Sequence, residues 1–392
     1  METRLLQIAS SFTCTPIAHT LRPFVVNAGI ADELGFSQYA QMTEYLLGPA
    51  PDSRHIVGTV IMVRVEDWLR DDLKSSSFDY PSDSLRKARQ NLRVRVDEFV
   101  TQLAALSRRG KRVWFLACPS TGWVSDRHKL ETLCRTYTNL LTARVQNLPQ
   151  ITMLNWPASL FANELNDRSA DRLGQIPFAL DAFDRLGGFV GQHIERTVME
   201  EPLSEAPAPS VGAPELAAYL SGLRVHVRLV AAKARDRPHV DRTLRTAATF
   251  SLSGEKRDLT ESEVDAMLES GRCMLISVSD RLSDHGPSGL IAFHPETDSL
   301  VIDSMALSCA VLGKQVEYAV VSALAQIAED RHCTKLVFKY SPSGRNQPML
   351  TFLKSIIGGT TDTPCVLSVA LAEQKIKEGA VAAGTWTLDF GT

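Results

Sequence analysis

LVIDSMALSCAVLGKQVE, residues 300–317, runs from an apolar strand pattern through a turn into a helix whose apolar stripe extends to His332. KLVFKYS, residues 335–341, repeats the strand pattern, and SGRNQPMLTFLKSIIGG, residues 343–359, leads into another helix. The stretch 300–358 therefore predicts the order strand, turn, helix, strand, turn, helix. Gly313 marks the first turn.

The first turn, residues 309–315, is a candidate phosphate site. Backbone N–H groups without an intrahelical partner collect where a strand turns into a helix. They can bind a pyrophosphate, or the phosphate of a carrier's phosphopantetheine. On this interpretation Leu307, Gly313, Lys314 and Asn346 contact the acyl donor. The alternative is that Gly313 only permits a tight turn and that Asn346 caps the final helix.

This order of elements resembles the acyl-binding half of the acetyltransferase-like (GNAT) fold, and the resemblance implies an α+β domain. In that family the turn usually reads Arg/Gln-x-x-Gly-x-Gly/Ala. Residues 310–315 are AVLGKQ, so Gly313 is kept while Ala310 and Gln315 depart from the pattern. Coenzyme A is therefore one possible donor among several.

Longer stretches are similar to FkbH-like proteins, which attach small acyl units in specialised-metabolite biosynthesis. In the second half the resemblance covers residues 225–359, including IDSMALSCAVLGKQVE and LVFKYSPSGRNQPMLTFLKSIIG. In the first half, IASSFTCTPIAHTLR, VGTVIMVRVEDW and GQIPFALDAFDRLGG look like the N-terminal module of longer FkbH-like chains. Two modules in the same order imply a shared architecture.

One part of those longer chains is missing. FkbH-like enzymes that load a glyceryl unit carry a phosphatase-like (HAD) domain with an Asp-x-Asp-x-Thr loop between the modules. Here Asp181-Ala-Phe-Asp184 has the wrong spacing, and EEPLSEAPAPSVGAPE, residues 200–215, stands where the domain would lie. The resemblance thus implies acyl transfer without glyceryl loading. The arrangement is also similar to the tRNA-dependent seryl transferase of valanimycin-type pathways, whose aminoacyl ester is already activated.

Length and composition predict two globular domains. The chain has 392 residues, of which 44% are hydrophobic and 22% charged, and that length exceeds what one core usually holds. A proline-rich stretch predicts a linker over 199–222, between a module over 1–198 and an acyltransferase domain over 223–392.

No apolar run reaches the roughly 18 residues of a membrane span, and the start lacks a signal-peptide core. We expect a cytoplasmic protein.

Cysteine usage and charge bear on cofactors and partners. The seven cysteines are scattered without a C-x-x-C pair, which argues against a disulfide framework and a zinc site; no metal is implied. The net charge is −3, yet basic residues crowd the start of the second domain: Arg224, Arg228, Lys233, Arg235, Arg237, Arg242 and Arg245. They form either a face for carrier or tRNA phosphates or an ordinary solvated surface.

In the first domain, apolar strand patterns alternate with helix patterns, which predicts a parallel sheet covered by helices on both faces. The layout resembles SGNH-type or flavodoxin-like folds. Ligands are expected beyond the carboxyl ends of the strands, at Ser10–Ser11, Glu66–Asp67, Pro119 to Thr121 and Asn155.

The SGNH resemblance would place a nucleophile at Ser10 or Ser11. However, the Gly-Asp-Ser and Asp-x-x-His motifs are missing, and Gln175 stands where relatives tend to have a histidine. A serine without a histidine base is a weak nucleophile. We therefore favour a scaffold that docks a carrier or shapes the acceptor site over a hydrolase.

Three side chains are candidates for chemistry in the second domain. Cys309 is placed at a helix start, which would lower its thiol pKa and favour a thiolate that takes the acyl group; the alternative is a small buried residue. His294 is a candidate general base or an ordinary turn residue. Asp303 either orients an acceptor amine or points to solvent. Backbone N–H groups of residues 305–307 are candidate oxyanion donors.

The leading hypothesis is an acyltransferase of antibiotic-type biosynthesis. It would move an activated acyl group, such as seryl, from aminoacyl-tRNA or a carrier-protein thioester to a small hydroxyl, amine or hydroxylamine. A catalytically silent module that docks a carrier is one alternative. The other is a coenzyme A-dependent N-acetyltransferase.

Overall fold

The computed structural model describes residues 3–37, 41–48, 55–70, 82–120, 124, 128–156, 171, 176–201, 213–247, 249–253, 261–343, 345–357, 365–379 and 386–391. The chain divides into two compact units, Met1–Glu215 and Leu216–Thr392. The sequence also predicts a helix over 158–165, after the strand pattern ITMLNW. These residues and Gln175 lie outside the described residues.

The first unit is built on a parallel sheet with strands β1 (Arg4–Ser10), β2 (Glu33–Phe36), β3 (His55–Val63), β4 (Arg112–Ala117) and β5 (Ile151–Leu154). The strands lie in the order β2-β1-β3-β4-β5, which is a doubly wound, flavodoxin-like order. The predicted parallel sheet is confirmed. The sequence pattern missed β2, because its four residues ELGF are too few to show a period.

Helices cover both faces of this sheet: α1 (Ala18–Val25), α2 (Met42–Leu47), α3 (Ser82–Ser107), α4 (His128–Val145) and α5 (Leu180–Glu200). Successive strand side chains point to opposite faces. Accordingly Ile61 and Phe115 join a core with α3 and α4, whereas Met62 and Trp114 join a core with α1 and α5. Because both faces are buried, the strands read as continuous apolar runs.

The second unit contains α6 (Ala213–Leu223), β6 (Val225–Ala231), α7 (Arg237–Thr246), α8 (Glu261–Glu269), β7 (Cys273–Ser279), β8 (Asp284–Pro295), β9 (Ser299–Leu307), α9 (Val316–Asp330), β10 (Lys335–Phe338), α10 (Gln347–Ile357), β11 (Cys365–Ser368), α11 (Val369–Gly379) and β12 (Trp386–Gly391). Its strand order is β11-β10-β9-β8-β7-β6-β12. The pairs β9–β10 and β6–β12 are parallel, and the others are antiparallel.

The stretch 300–358 folds in the predicted order, as β9, α9, β10 and α10. The apolar stripe of α9 is buried, with Val316, Val320 and Leu324 fully enclosed. The predicted fold class, a parallel α/β domain followed by an α+β domain, is therefore confirmed.

The stretch predicted as a linker is helical at both of its described ends. Helix α5 continues through Glu200, and α6 begins at Ala213 within residues 199–222. Leu216, Leu220 and Leu223 on α6 are buried, because their spacing places them on one face of a helix. In the described parts of the chain, no helix is both long and apolar enough to cross a membrane.

Candidate functional site

Strands β9 and β10 diverge at a bulge, and we call this place the strand fork. The two strands pair in parallel up to Ile302 and Phe338. The register of β9 against β8 then shifts by one residue between Ile302 and Ser304, which leaves Asp303 as the extra residue. A β-bulge bends its strand and re-aims the side chains around it. The sequence pattern contains no sign of this bulge.

The fork brings together two of the predicted catalytic residues. Nδ1 of His294 on β8 lies 2.5 Å from Oδ2 of Asp303, and Nζ of Lys339 donates to Oδ1 of Asp303 at 2.5 Å. The Nε2 atom of His294 faces Glu296 Oε1 at 3.5 Å. Sequence reasoning missed Lys339, since its proximity to Asp303 depends on the register of β9 and β10.

Partial exposure makes this pair suitable for proton transfer. The His294 side chain is 28% exposed and that of Asp303 is 37% exposed. Burial raises the pKa of Asp303, but hydrogen bonds from Lys339 and His294 outweigh it and hold the pKa below its usual value. An ionised carboxylate on Nδ1 orients the imidazole and leaves Nε2 to accept a proton.

A segment of the same chain lies in the gap between β9 and the loop after β10. We call residues 250–253 the inserted segment. The N–H of Leu252 donates to the Met305 carbonyl at 3.0 Å, and the N–H of Leu307 donates to the Phe250 carbonyl at 3.0 Å. On the other side, the N–H of Ser341 donates to the Leu252 carbonyl at 2.8 Å. The Leu307 N–H, predicted as an oxyanion or donor contact, is thus already bonded in this structure, and that role stays a prediction.

Asn346 holds the inserted segment in place. Its Nδ2 donates to the carbonyls of Ser251 at 3.1 Å and Ser341 at 3.0 Å. Its Oδ1 accepts from the Ser343 N–H at 2.8 Å and from the Tyr340 hydroxyl at 3.2 Å. Asn346 is fully buried, so both the predicted donor contact and the alternative of a helix cap give way to a structural role.

The predicted phosphate turn has the backbone that its glycine requires, but its lysine points elsewhere. Gly313 has φ +78° and Gln315 has φ +68°, and α9 begins immediately afterwards. Lys314 Nζ donates to Asp280 Oδ2 at 2.8 Å and lies 2.9 Å from His285 Nε2. Burial raises the pKa of Asp280, but the bond from His285 and the charge of Lys314 more than offset it and hold that pKa far below its usual value. Lys314 therefore joins a buried ion cluster.

Cys309 lies in a short 3-10 turn, Cys309–Val311, and not at the start of α9. Burial raises the pKa of its thiol, and a hydrogen bond with Thr249 only partly opposes this. The expected lowering of the pKa is therefore wrong. The alternative, a small and largely enclosed residue at the turn, fits the structure better.

In this structure the strand fork does not offer the free backbone groups that a pantetheine arm would need. Such an arm is extended and carries two amides, so it would need the edge N–H and C=O groups that the inserted segment uses. The ammonium group of Lys314, which could meet the phosphates, is bonded to Asp280.

The carboxyl edge of the first unit holds a buried charge network. Arg64 makes paired hydrogen bonds with Asp67, at 3.0 and 2.5 Å, and with Asp171, at 3.2 and 3.0 Å. Arg70 bonds the same two carboxylates, at 2.8 and 2.5 Å. Burial raises the pKa of Asp171, but the charges and hydrogen bonds of Arg64 and Arg70 outweigh this effect and hold the pKa below its usual value, so that the carboxyl stays ionised.

The serine side chains of the predicted ligand site at this edge are bonded to other groups of the protein. Ser11 Oγ donates to Asp67 Oδ2 at 2.8 Å, Ser10 Oγ donates to the Phe12 carbonyl, and Ser120 Oγ donates to Glu66 Oε2 at 3.3 Å. Within the described residues, neither Ser10 nor Ser11 hydrogen-bonds a histidine. Asn155 is exposed, and Thr121 lies outside the described residues.

The basic stretch of the second unit is divided. Arg228 pairs with Asp389 at 3.3 Å, and Arg237 pairs with Asp265 at 2.8 Å. Arg235 also pairs with Asp236, at 3.9 Å. Most members of the stretch are exposed, whether paired or not: Arg224, Arg228, Lys233, Arg235, Arg242 and Arg245. Two of them, Arg242 and Arg245, lie on α7, which leads directly to the inserted segment.

Comparison with known proteins gives structural matches only. No family model matches the chain, and no curated protein matches it. Solved structures do. The N-terminal part of a Bacteroides fragilis protein, containing a phosphatase domain complexed with Mg, is 14% identical over 51% of this chain and 53% of its own, with a TM-score of 0.38. The match thus spans about half of that structure.

Two acetyltransferases are also similar. An aminoglycoside acetyltransferase in complex with coenzyme A is 18% identical, covering 38% of this chain and 98% of its own, with a TM-score of 0.28. The N-acetylglutamate synthase of Neisseria gonorrhoeae, complexed with coenzyme A and N-acetyl-glutamate, is 10% identical, covering 87% of this chain and 86% of its own, with a TM-score of 0.25.

Proposed function

We propose that the second unit transfers an activated acyl group to a small amine, hydroxyl or hydroxylamine. The observation that carries this proposal is the His294–Asp303 pair at the bulge where β9 leaves β10, with a Nδ1–Oδ2 distance of 2.5 Å. A partly exposed imidazole oriented by a carboxylate is a competent general base near neutral pH.

The proposed step balances without a further reagent. Nε2 of His294 takes the proton of the acceptor N–H or O–H as the acceptor attacks the acyl carbon. The ester or thioester bond of the donor then breaks, and the leaving oxygen or sulfur takes the proton back from the imidazolium. Asp303 stabilises the imidazolium, and Lys339 holds Asp303 in place.

The donor follows from the wider resemblance. We propose that the chain acts in antibiotic-type biosynthesis, as its resemblance to FkbH-like proteins implies, without their phosphatase domain. Aminoacyl-tRNA, such as seryl-tRNA, is the first candidate donor, because exposed arginines on α7 suit a phosphate backbone. A carrier-protein thioester is the second. The boundaries 1–198 and 223–392 remain the proposed division between scaffold and transferase.

Donor discharge tests this function. The full chain is given labelled seryl-tRNA, or an acyl-carrier thioester, together with a small hydroxylamine. The wild type is expected to discharge one of them above the uncatalysed rate, and His294→Gln is expected to lose about 10²–10⁴-fold. His226→Gln is the matched control, since His226 is also partly exposed and bonds Thr387 on a distant strand pair at 2.7 Å.

Loss of label from tRNA alone identifies the aminoacyl ester as the donor, and loss from the thioester alone identifies the carrier. Discharge of neither donor contradicts the proposed acyl transfer and favours the non-catalytic docking module.

A further inference from the structure

We propose that the inserted segment determines donor specificity: it fills the strand fork, between β9 and the loop after β10, with its own backbone hydrogen bonds, and so excludes any donor that presents its acyl group on a pantetheine arm. The donor class that remains is an acyl ester without such an arm, such as the ester at the 3′ end of a tRNA. This inference rests on the proposed acyl transfer and selects between its donors.

An open fork would be a binding site for an extended amide chain. Where two parallel strands separate, each exposes a row of unpaired N–H and C=O groups. An extended ligand can bind there by adding itself as a strand. A pantetheine arm, with its two amides, is such a ligand.

The inserted segment already makes the bonds that this ligand would need. It takes the Met305 carbonyl and the Leu307 N–H on β9, and the Ser341 N–H beyond β10. Leu252 contributes both its N–H and its carbonyl, one to each side of the fork. A ligand arm would have to break all three bonds in order to enter.

The segment is part of the core and not a loose cover. Leu252 is fully buried and Phe250 is 4% exposed. The Phe250 ring lies 5.6 Å from that of Phe352 on α10, and Asn346 bonds the Ser251 carbonyl. Its removal would expose two apolar side chains as well as unpaired backbone groups, so permanent occupation is favoured over displacement by the donor.

The surrounding charges agree with a donor of another kind. The turn lysine that could meet the phosphates of coenzyme A is bonded to Asp280. The exposed residues Arg242 and Arg245 instead lie on α7, whose last turn precedes the inserted segment in the chain. A nucleic-acid phosphate backbone can be held at such a surface while its terminal ester reaches the fork from outside.

The test uses the full-length protein with coenzyme A itself as the probe. At about 1 mM coenzyme A, donor discharge by the wild type is expected to change by less than about twofold. Hydrogen exchange of the Leu252, Leu307 and Ser341 amides is expected to stay slow and unchanged. Coenzyme A binding tighter than about 100 µM, with faster exchange at Leu252, would overturn the proposal.

A variant with a loosened segment gives an independent readout. Phe250→Ala combined with Asn346→Ala removes the ring contact and the side-chain bonds, and is expected to bind coenzyme A at least about tenfold more tightly than the wild type. Ser251→Ala is the control, because it removes only the bond from Ser251 Oγ to the Ser253 carbonyl within the segment. A folded double variant with rapid Leu252 exchange and no gain in coenzyme A affinity would also overturn the proposal.

The two failures can be told apart. If the wild type discharges no donor, the proposed acyl transfer fails. Coenzyme A binding and amide exchange then still test whether the inserted segment blocks a pantetheine arm. If the wild type discharges a carrier thioester, acyl transfer stands and the exclusion fails, whether or not amide exchange at Leu252 changes.

Discussion

Arg64 and Asp303 occupy comparable places in the two units, since each lies at or near the point where parallel strands end or separate. Around Arg64 the side chains of Asp67 and Asp171 are 2% and 0% exposed, and two arginines satisfy both carboxylates. Around Asp303 the partners are a histidine and a lysine, which are 28% and 52% exposed. Both sites are charged, but only the second combines a titratable base with access from solvent.

This difference separates structural from chemical roles. A buried network in which arginines clamp carboxylates gives no group that changes its protonation near neutral pH. The second site instead contains a histidine, a residue type that can take up and release a proton, and its side chain is 28% exposed. The carboxyl end of a sheet is therefore a place where a site can form. Whether one does form depends on how exposed the side chains are and on whether they can exchange protons.

The largest expected effect breaks the first site. Arg64→Met leaves Asp67 and Asp171 buried with less compensation, and should lower the free energy of unfolding of the first unit by about 3–5 kcal/mol. Urea unfolding followed by tryptophan fluorescence measures it. Arg185→Met removes an exposed pair with Asp181 and should cost less than about 1 kcal/mol. Equal costs for both variants would contradict the structural role.

The second effect concerns Asp280 and its dependence on pH. Asp280→Asn should destabilise the second unit by about 2 kcal/mol at pH 7, less than the first variant because Lys314 keeps partial access to water. The folded pKa of Asp280 is depressed, so its stabilisation is present above the ordinary carboxyl pKa and is lost as pH falls. The gap between wild type and variant should therefore narrow below about pH 4.

Thermal unfolding of the wild type and of Asp280→Asn, recorded from pH 7 to pH 3, measures this difference in stability. Asp389→Asn is the control, because Asp389 forms only an exposed pair with Arg228. A gap that stays constant over the whole range would argue against an ionised Asp280 in the folded protein.

The third prediction concerns the catalytic rate at the second site. Asp303→Asn should lower kcat for donor discharge about 10–100-fold, with little change in KM, because it removes the charge that orients and stabilises the imidazole. Asp298→Asn is a matched control at the opposite end of β9, since Asp298 lies in the turn before that strand and bonds Lys335 and Thr334 away from the fork. Steady-state kinetics distinguishes them. A change in KM alone would assign Asp303 to binding.

The smallest effect tests Cys309. Its thiol pKa is raised by burial, so Cys309→Ala should leave donor discharge within about threefold of the wild type, and iodoacetamide should modify the thiol slowly at pH 7. Mass spectrometry after timed alkylation measures the second point. Rapid modification together with loss of activity would restore the acyl-thiol hypothesis.

Local patterns were sufficient to predict the alternation of strands and helices in the first unit and the order β9, α9, β10, α10 in the second. Continuous apolar runs such as VGTVIMV predict buried parallel strands, and the stripe from Val316 onward predicts α9. These signals are carried by neighbours a few residues apart. His294 and Asp303 could likewise be named as candidates from their residue types, but nothing in the sequence alone indicated that they meet.

Tertiary structure decided the pairing of distant groups. The Asp303 bulge follows from the register of β9 against β8. The bond between Arg64 and Asp171 joins residues 107 positions apart, and Ser251 meets Asn346 across 95 positions. Long apolar runs and stripes could be assigned to strands and helices from the sequence, because their periodicity is local, whereas the short strand β2 and the start of α6 could not. Register, burial and the filling of the fork were decided only by the packed chain, because hydrogen-bond geometry and desolvation depend on every element that surrounds a group.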